Sequence, residues 1–489
     1  MIKPKGRAVI SPAPPSGPPQ AVAKARARFD AAGFNAAAVR AALHADTELL
    51  SSAGDIATHD RRLADVPVPL ATLVRLFVLD LPVALDEGEA ALTSAAVDDL
   101  VQLGLVAETT EGRLAAAARI VPHDDLLVAS DCVRSTGADH VAAVHRPSAT
   151  LASLTMRRPV ATALDVGTGN GIQALLAARH SGTVVATDVS ERALAFAEFN
   201  AALNGCSNIE VRAGSFFEPV DGERFELVVC NPPYVISPET EHIFRDSGMP
   251  GDTVSEQVIA ELPAHLADGG FATAMLSWIA SEDATERPRS WLAGSGCDAW
   301  LIHTATEDPL TAAAAWNRAN ADRSPERLDA WLTYYAELGI DAIAYGAAIL
   351  HRQSSGDGWV RTAELPANRL WPASAHLERL FAAHELLAGD VLALPLALVP
   401  GAFVDRTDRL DSGRWAYAGA TVRLESGIGF GINLDRYGSA LVALVDGAAP
   451  VRDRLGPLAV ELELSAQDLE AFAAQLVGHL VERGFVEPV

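Results

Sequence analysis

Hydrophobic residues recur with two different periods along this chain, and the change of period divides it into segments. In the first quarter the spacing is helical, clearest over 70–77 and 94–103. Two short strand-like stretches follow, at 105–108 and 113–117. Helices followed by a small hairpin are typical of a winged-helix module. We therefore predict a helical domain of winged-helix type over residues 31–125.

Residues 126–353 show short apolar strands that alternate with helical segments. This alternation is the pattern of an α/β domain with a doubly wound, mainly parallel sheet. The strands are predicted at 161–166, 183–187, 209–212, 227–230 and 271–276, with two later strands at 299–304 and 342–351.

The remaining segment, residues 354–489, combines helices with glycine-rich strands. A helix is predicted at 375–387, strands at 415–424 and 427–434, and a final helix at 466–483. We therefore expect a C-terminal α+β domain that ends in a second module of winged-helix type.

The composition is that of a globular, multidomain protein. Of the 489 residues, 49% are hydrophobic and 21% are charged, which excludes wholesale disorder. No apolar run reaches the roughly 18–20 residues that cross a bilayer, and no secretory hydrophobic region opens the chain. The four cysteines lie apart and the histidines show no ligand spacing. We therefore expect a cytoplasmic protein without disulfides, a metal or a membrane partner.

The charge is distributed unevenly. The whole chain carries 38 basic and 63 acidic side chains, a net charge of −25. Residues 1–40 hold seven basic groups and one acid, a net +6, which leaves −31 for the rest. Because residues 4–20 are rich in proline, we predict a disordered basic arm over residues 1–30. Such an arm could reach a polyanion that the acidic body repels.

A glycine-rich loop follows the first strand of the α/β segment. Residues 164–171 are LDVGTGNG, and a helix is predicted over 172–179. Glycines allow a tight turn and a close approach of the backbone to a ligand. Ile172 stands where the dinucleotide fingerprint has its last glycine, which disfavours NAD. The next strand ends in Asp188, seventeen residues past Gly171, where a carboxylate can bind two ribose hydroxyls.

The motif Asn-Pro-Pro-Tyr ends the fourth predicted strand, at 231–234. A planar amide or exocyclic amino nitrogen is a poor nucleophile, because its lone pair is delocalised. The side-chain oxygen of Asn231 and the carbonyl of Pro232 can each accept one N–H and so align that lone pair. Tyr234 offers a flat face on which a planar target can stack. We therefore assign Asn231, Pro232 and Tyr234 as candidate catalytic residues.

With both motifs present, the sequence resembles the class I S-adenosylmethionine-dependent methyltransferases, which implies a Rossmann-like sheet and S-adenosylmethionine as cofactor. In this family the glycines lie along the methionine and the ribose, and the second-strand acid binds the ribose. Many members have Asp where this chain has Ser215, against the adenine amino group. The resemblance implies cofactor-binding roles for Asp165, Gly167, Thr168, Gly169, Gly171, Asp188, Ser215, Phe216 and Asn231.

The resemblance covers residues 140–280 and leaves the substrate open. It extends to release-factor glutamine methyltransferases and to guanine and adenine amino-group methyltransferases of nucleic acids. Flanking modules of winged-helix type and a basic arm favour a nucleobase of RNA as the target. The alternatives are a protein glutamine amide, a small-molecule amine, and a non-catalytic module that binds nucleic acid or S-adenosylmethionine. The acidic segment 237–241 beside the motif does not favour phosphates.

Overall fold

The computed structural model describes residues 12–45, 56–135, 137–241, 245–317, 324–353, 358–365 and 372–489. These residues fall into two compact units. The first comprises the described residues up to 152 together with those in 159–301 and 306–362. The second comprises 153–158, 302–305 and the described residues from 363 onward.

The N-terminal part of the first unit is mainly helical. Its helices enclose an apolar core in which Phe29, Phe34 and Phe77 pack against one another. Three short strands form a sheet of order β1-β3-β2, and β4 pairs with β5. The elements are α1 (Pro19–Ala31), α2 (Ala36–Leu43), α3 (Ile56–Arg62), α4 (Val68–Leu73), β1 (Val83–Ala84), α5 (Leu85–Leu92), α6 (Ser94–Gln102), β2 (Val106–Glu108), β3 (Arg113–Ala116), β4 (Arg119–His123) and β5 (Leu126–Ser130).

An eight-stranded sheet dominates the middle of the chain. The elements are α7 (Arg146–Leu154), β6 (Val160–Val166), α8 (Ile172–Ala178), β7 (Ser181–Asp188), α9 (Glu191–Leu203), β8 (Ile209–Ala213), β9 (Phe225–Cys230), α10 (Thr253–Glu261), β10 (Leu266–Ile279), α11 (Glu286–Leu292), β11 (Cys297–Glu307), α12 (Pro309–Asn317), α13 (Pro325–Glu337), β12 (Ile343–Arg352) and β13 (Val360–Glu364). The strand order is β13-β11-β12-β10-β9-β6-β7-β8.

This sheet confirms the predicted Rossmann-like α/β fold. Strands β10, β9, β6, β7 and β8 run parallel, and β12 is antiparallel to β10. The chain runs outward from β6 through β7 to β8 and then returns to place β9 on the other side of β6. In open α/β sheets, ligands bind at the carboxyl ends of the strands where the order reverses in this way.

The second unit contains its own apolar core, formed by helices and two small sheets. Ser465 caps the last helix by accepting a hydrogen bond from the backbone N–H of Asp468 at 3.0 Å. The elements are α14 (Ser374–Leu387), β14 (Leu396–Leu398), β15 (Ala402–Asp411), β16 (Arg414–Leu424), β17 (Gly431–Leu434), α15 (Arg436–Val442), α16 (Val451–Glu461), α17 (Ala466–Glu482) and β18 (Val486–Pro488). The sheets have the orders β15-β16-β17 and β14-β18.

The N-terminal segment differs from the predicted disordered arm. Residues 1–11 lie outside the described residues, but 12–30 are ordered in the structure. Helix α1 buries Val22, Ala25 and Phe29, whose spacing gives one apolar face of a helix. Before it, the backbone N–H of Ser16 donates to the carbonyl of Leu103 at 3.0 Å. The prolines of this segment stand before the helix or at its first position, where proline is tolerated.

The basic side chains of α1 form ion pairs with acidic residues. Lys24 and Arg28 both contact the carboxylate of Asp99, at 2.6 and 2.7 Å. Arg26 pairs with Asp30 at 2.9 Å and donates to the side chain of Asn204 at 2.8 Å. The positive charge of α1 is therefore matched by acids of the same unit.

Candidate active site

The two sequence motifs meet at the carboxyl edge of the sheet. Strands β6 and β9 are parallel neighbours, with Val166 opposite Cys230. The loop after β6 is the glycine loop, and the segment after β9 is the Asn-Pro-Pro-Tyr motif. A cavity of about 430 Å³ opens between the two. The motifs, 64 residues apart in sequence, thus form one site.

Most of the residues assigned from sequence line this cavity. They are Asp165, Gly167, Thr168, Gly169, Asp188, Ser215, Phe216, Asn231 and Pro232. Two assigned residues, Gly171 and Tyr234, are not among its lining residues.

The glycine loop leaves space that a side chain would occupy. Gly167 and Gly169 have φ of 69° and 56°, and a Cβ added to either would meet nothing described within 4 Å. The backbone here can therefore approach a ligand without obstruction. Gly171 has another purpose: with φ of 83°, its added Cβ would lie 3.1 Å from the Cα of Ala197 in α9. It packs α8 closely on α9.

Asp188 is tied to the loop and to the next helix. Its Oδ2 accepts a hydrogen bond from the backbone N–H of Gly169, and its Oδ1 accepts one from Ser190, both at 2.9 Å. Each oxygen has a further lone pair, so the carboxylate can also accept two hydroxyl groups. Burial raises the pKa of Asp188, against the effect of these backbone donors.

Asp165 lies beneath the loop, almost fully buried. Its Oδ2 accepts from the hydroxyl of Thr168 at 2.6 Å and from the backbone N–H of Ala174 at 3.0 Å. Burial raises its pKa to about 7. The resemblance implies that Asp165 either orders the loop or binds the methionine ammonium group, and these contacts support the first role.

Ser215 and Phe216 lie on the far side of the cavity, after β8. Phe216 has φ of 44°, a left-handed conformation that is costly for an aromatic residue. The hydroxyl of Thr187 donates to its carbonyl at 3.2 Å, and the backbone N–H of Ser215 donates to Glu218 at 3.3 Å. These hydrogen bonds fix the turn at Ser215 and Phe216. Their role in an adenine pocket stays a prediction.

Asn231 presents an unused acceptor to the cavity. Its side-chain Oδ1 is buried and has no hydrogen-bond partner among the described residues. Leaving a buried acceptor unsatisfied costs about 1–3 kcal/mol, so an atom of this kind calls for a ligand donor. The neighbouring Pro232 carbonyl accepts from the backbone N–H of Tyr234 at 2.8 Å and retains one lone pair.

Tyr234 lies in the segment after β9 and does not line the cavity. Its carbonyl accepts from the hydroxyl of Ser277, and its backbone bridges to Asp246 in the following loop. Burial raises its pKa. Asp246, Ser247 and Met249 line the cavity beside Asn231.

Sequence reasoning missed a polar group on the opposite wall. His145 and Gln173 line the cavity, and both are tied to Ser148. The Nδ1 of His145 lies 2.7 Å from the Ser148 hydroxyl, while Gln173 donates to the Ser148 carbonyl at 2.8 Å. The Oε1 of Gln173 is buried without a partner among the described residues. The one sequence signal for this wall is segment 146–150, which resembles the segment that precedes the glycine loop in the release-factor glutamine methyltransferases.

These features fit S-adenosylmethionine. The open space above Gly167 and Gly169 admits a ligand chain, and Asp188 can accept ribose hydroxyls. The acceptors on Asn231 and Gln173 complete a polar lining. Within the described ranges, no group of three or more His, Cys, Asp or Glu residues is placed to hold a metal ion. The same residues contain no helix long and apolar enough to cross a membrane.

Comparison with known families identifies the middle of the chain. Residues 142–272 match the family model of the methyltransferase small domain. Residues 31–117 match a domain of unknown function, DUF7059.

Curated relatives match the same region. A release factor glutamine methyltransferase from Xylella fastidiosa is 36% identical, over 23% of this chain and 46% of the relative. One from Cereibacter sphaeroides is 38% identical, over 24% and 46%. A ribosomal protein uL3 glutamine methyltransferase from Bradyrhizobium diazoefficiens is 31% identical, over 28% and 51%. The chain thus spans about half the length of these relatives. Residues 142–272 form a class I S-adenosylmethionine-dependent methyltransferase domain that resembles those of the glutamine methyltransferases.

Proposed function

We propose that this protein methylates the side-chain amide nitrogen of a glutamine in a protein substrate. The observation that carries the proposal is the buried, unpartnered Oδ1 of Asn231 at the cavity. The names of the relatives, which act on glutamine in release factors and in ribosomal protein uL3, support an amide as the target. This was the alternative to the nucleobase expected from the sequence.

The chemistry follows from the positions of two acceptors. A primary amide has two N–H groups, one for Asn231 Oδ1 and one for the free lone pair of the Pro232 carbonyl. Fixing both N–H groups aligns the nitrogen lone pair with the incoming methyl group and stabilises the positive charge that grows on nitrogen. The methyl group would come from the cationic sulfur of S-adenosylmethionine, which would leave as the neutral thioether S-adenosylhomocysteine, and one N–H proton of the amide would pass to water.

The remaining assigned residues would bind and orient the cofactor. Asp188 would accept the ribose hydroxyls, Asp165 and Thr168 would hold the loop in shape, and Phe216 would pack on the adenine. Gly171 and Tyr234 would act through packing, since neither lines the cavity.

A nucleobase of RNA has less support than a protein amide. That expectation rested on flanking modules of winged-helix type and on a basic arm. Within the described part of the arm, Lys24 and Arg28 are paired with Asp99, and the basic residues of 1–11 lie outside the described residues. The body of the protein is strongly acidic and therefore repels phosphates.

Transfer of tritiated methyl into lysate of a strain that lacks this gene tests the substrate class. We expect label that is removed by protease, resists ribonuclease, and is released as methylamine on acid hydrolysis, as an N-methyl amide requires. Label that disappears with ribonuclease would instead establish the nucleic-acid alternative.

Asn231→Ala tests the catalytic assignment. We expect loss of transfer by at least 100-fold, the range for removing a preorganised polar contact to developing charge. Affinity for S-adenosylhomocysteine, measured by calorimetry, should change little. Asn433→Ala, which removes an exposed amide from β17, is the matched control. An active Asn231→Ala enzyme would overturn the assignment.

A further inference from the structure

Among the residues that the structure describes, strand β15 forms one edge of a sheet in the second unit. It is the first strand of the sheet β15-β16-β17, and β16 is its one neighbour there. After Ala402 every residue of the strand to Asp411 is exposed. Edge strands present a row of free N–H and C=O groups that can pair with another strand.

The β15–β16 hairpin also exposes large apolar side chains. Val404 is 46% exposed, Leu410 58% and Trp415 73%. Leu410 lies directly opposite Trp415 in the strand register, and residues two apart share a face of the strand. Leu410 and Trp415 therefore lie together at the outer end of the hairpin, and Val404 lies along its free edge, beyond a register shift between Thr407 and Asp408.

The charges along this edge are self-complementary. Residues 404–410 are Val-Asp-Arg-Thr-Asp-Arg-Leu. When two copies are laid antiparallel about Thr407, Asp405 faces Arg409 and Arg406 faces Asp408, each twice across the pair. Val404 faces Leu410 at both ends. Opposite charges and apolar pairs directly across antiparallel strands stabilise the pairing.

The neighbouring registers are disfavoured. A shift of one position in one direction places Asp405 opposite Asp408, and the reverse shift places Arg406 opposite Arg409. Like charges directly opposite each other destabilise a strand pair. The sequence of the edge thus selects one register.

We propose that β15 pairs with β15 of a second copy of this chain and forms a symmetric dimer. The pairing joins two three-stranded sheets into one of six strands with Thr407 on the two-fold axis. It brings Val404 of each copy onto Leu410 of the other, beside Trp415. The charges favour a second copy as the partner. Within one copy Arg406 pairs with Asp408 at 3.0 Å and Asp405 pairs with Arg423 at 3.3 Å, and in the dimer each charge from 405 to 409 also meets an opposite charge across the paired strands.

The test is the mass of the full chain by sedimentation velocity over a range of concentrations. We expect a monomer–dimer equilibrium in which Arg406→Asp and Asp408→Arg each weaken association at least tenfold, because each places like charges together twice. Mixing the two variants should restore a dimer, since every pair across that heterodimer is again opposite in charge. Arg414→Glu, a reversal on β16 away from the edge, is the control.

Mixing the two variants distinguishes a loss of strand pairing from a loss of folding. If the substitutions had misfolded the hairpin, the mixture would not form a dimer. Thr407→Cys gives a second measurement: mild oxidation should form an intermolecular disulfide at the axis, while Ser412→Cys at the hairpin tip should not. A wild-type chain that stays monomeric at every concentration overturns the proposal, and so does failure of the mixture to associate.

Discussion

The carboxylate of Asp188 accepts a hydrogen bond from the backbone N–H of Gly169 at 2.9 Å. This contact joins the end of β7 to the glycine loop that follows β6, so the acid that we propose binds the ribose is held against the loop. Asp188 and Gly169 therefore fix each other's position at the ligand cavity.

Asp188→Asn should therefore weaken S-adenosylhomocysteine binding by roughly 10- to 100-fold, because hydrogen bonds to a charged group contribute about 1.5–3 kcal/mol. The amide can accept at one atom, whereas the carboxylate serves Gly169, Ser190 and the ligand together. Calorimetry measures the affinity. Asp221→Asn, on an exposed turn, should bind as wild type does, and equal affinities in both variants would contradict this role.

Asp165 makes stability depend on pH. Its pKa is raised by burial from 3.8 to about 7, so between these values the folded state holds more protons than the unfolded state. The free energy of unfolding then falls as pH rises through this window, and the contribution is lost above about pH 7.

Asp165→Asn removes this titration while keeping an oxygen for Thr168 and Ala174. Its stability relative to wild type should rise between pH 5 and pH 8, by an amount on the order of 1 kcal/mol or more. Urea unfolding at the two pH values measures the difference. A constant difference would show that Asp165 is ionised throughout.

In the second unit, His376 makes the free energy of unfolding change with pH in the opposite direction. Its Nε2 donates to the carbonyl of Arg483 at 2.7 Å, and its Nδ1 accepts from the backbone N–H of Ile428 at 3.2 Å. Burial lowers its pKa from 6.5 to about 4. The unfolded state binds the extra proton first, so stability is full above pH 6.5 and is lost as pH falls toward 4.

His376→Gln should remove this decrease in the free energy of unfolding at low pH, which amounts to up to about 3 kcal/mol. The wild-type minus variant difference in unfolding free energy, measured in urea between pH 4.5 and pH 7, should grow with pH. His384→Gln, on the same helix at an exposed position, should leave the slope unchanged. A slope that His376→Gln does not alter would place the titration elsewhere.

The sequence predicted the sheet and the meeting of the two motifs because both depend on local signals. Strand periodicity, the glycine loop and the prolines after β9 each act over a few residues. The role of Tyr234 was not predictable in the same way, because Ser277 and Asp246 hold it from distant elements. The cavity wall at His145 and Gln173 depends on a hydrogen bond from Gln173 in α8 to the carbonyl of Ser148 in α7, and the sequence does not show that these two helices meet.

The predicted disordered arm shows most clearly where prediction from composition fails. Proline content indicated disorder, while three apolar residues at helical spacing produced a packed helix with its charges matched by Asp99. Composition describes a segment's average, whereas burial depends on where a few apolar side chains fall.

Asn200 connects the glycine loop to the N-terminal half of the unit. Fully buried, it accepts from the backbone N–H of Ala129 at 2.7 Å and donates to the carbonyls of Ala129 and Asn170, both at 2.8 Å. Asn200→Ala leaves three buried backbone groups without partners. Because each costs about 1–3 kcal/mol, we expect a loss of roughly 3–5 kcal/mol in unfolding free energy, measured in urea. The exposed Asn433→Ala should stay within about 0.5 kcal/mol of wild type, and a similarly small loss at Asn200 would show that water replaces its hydrogen bonds.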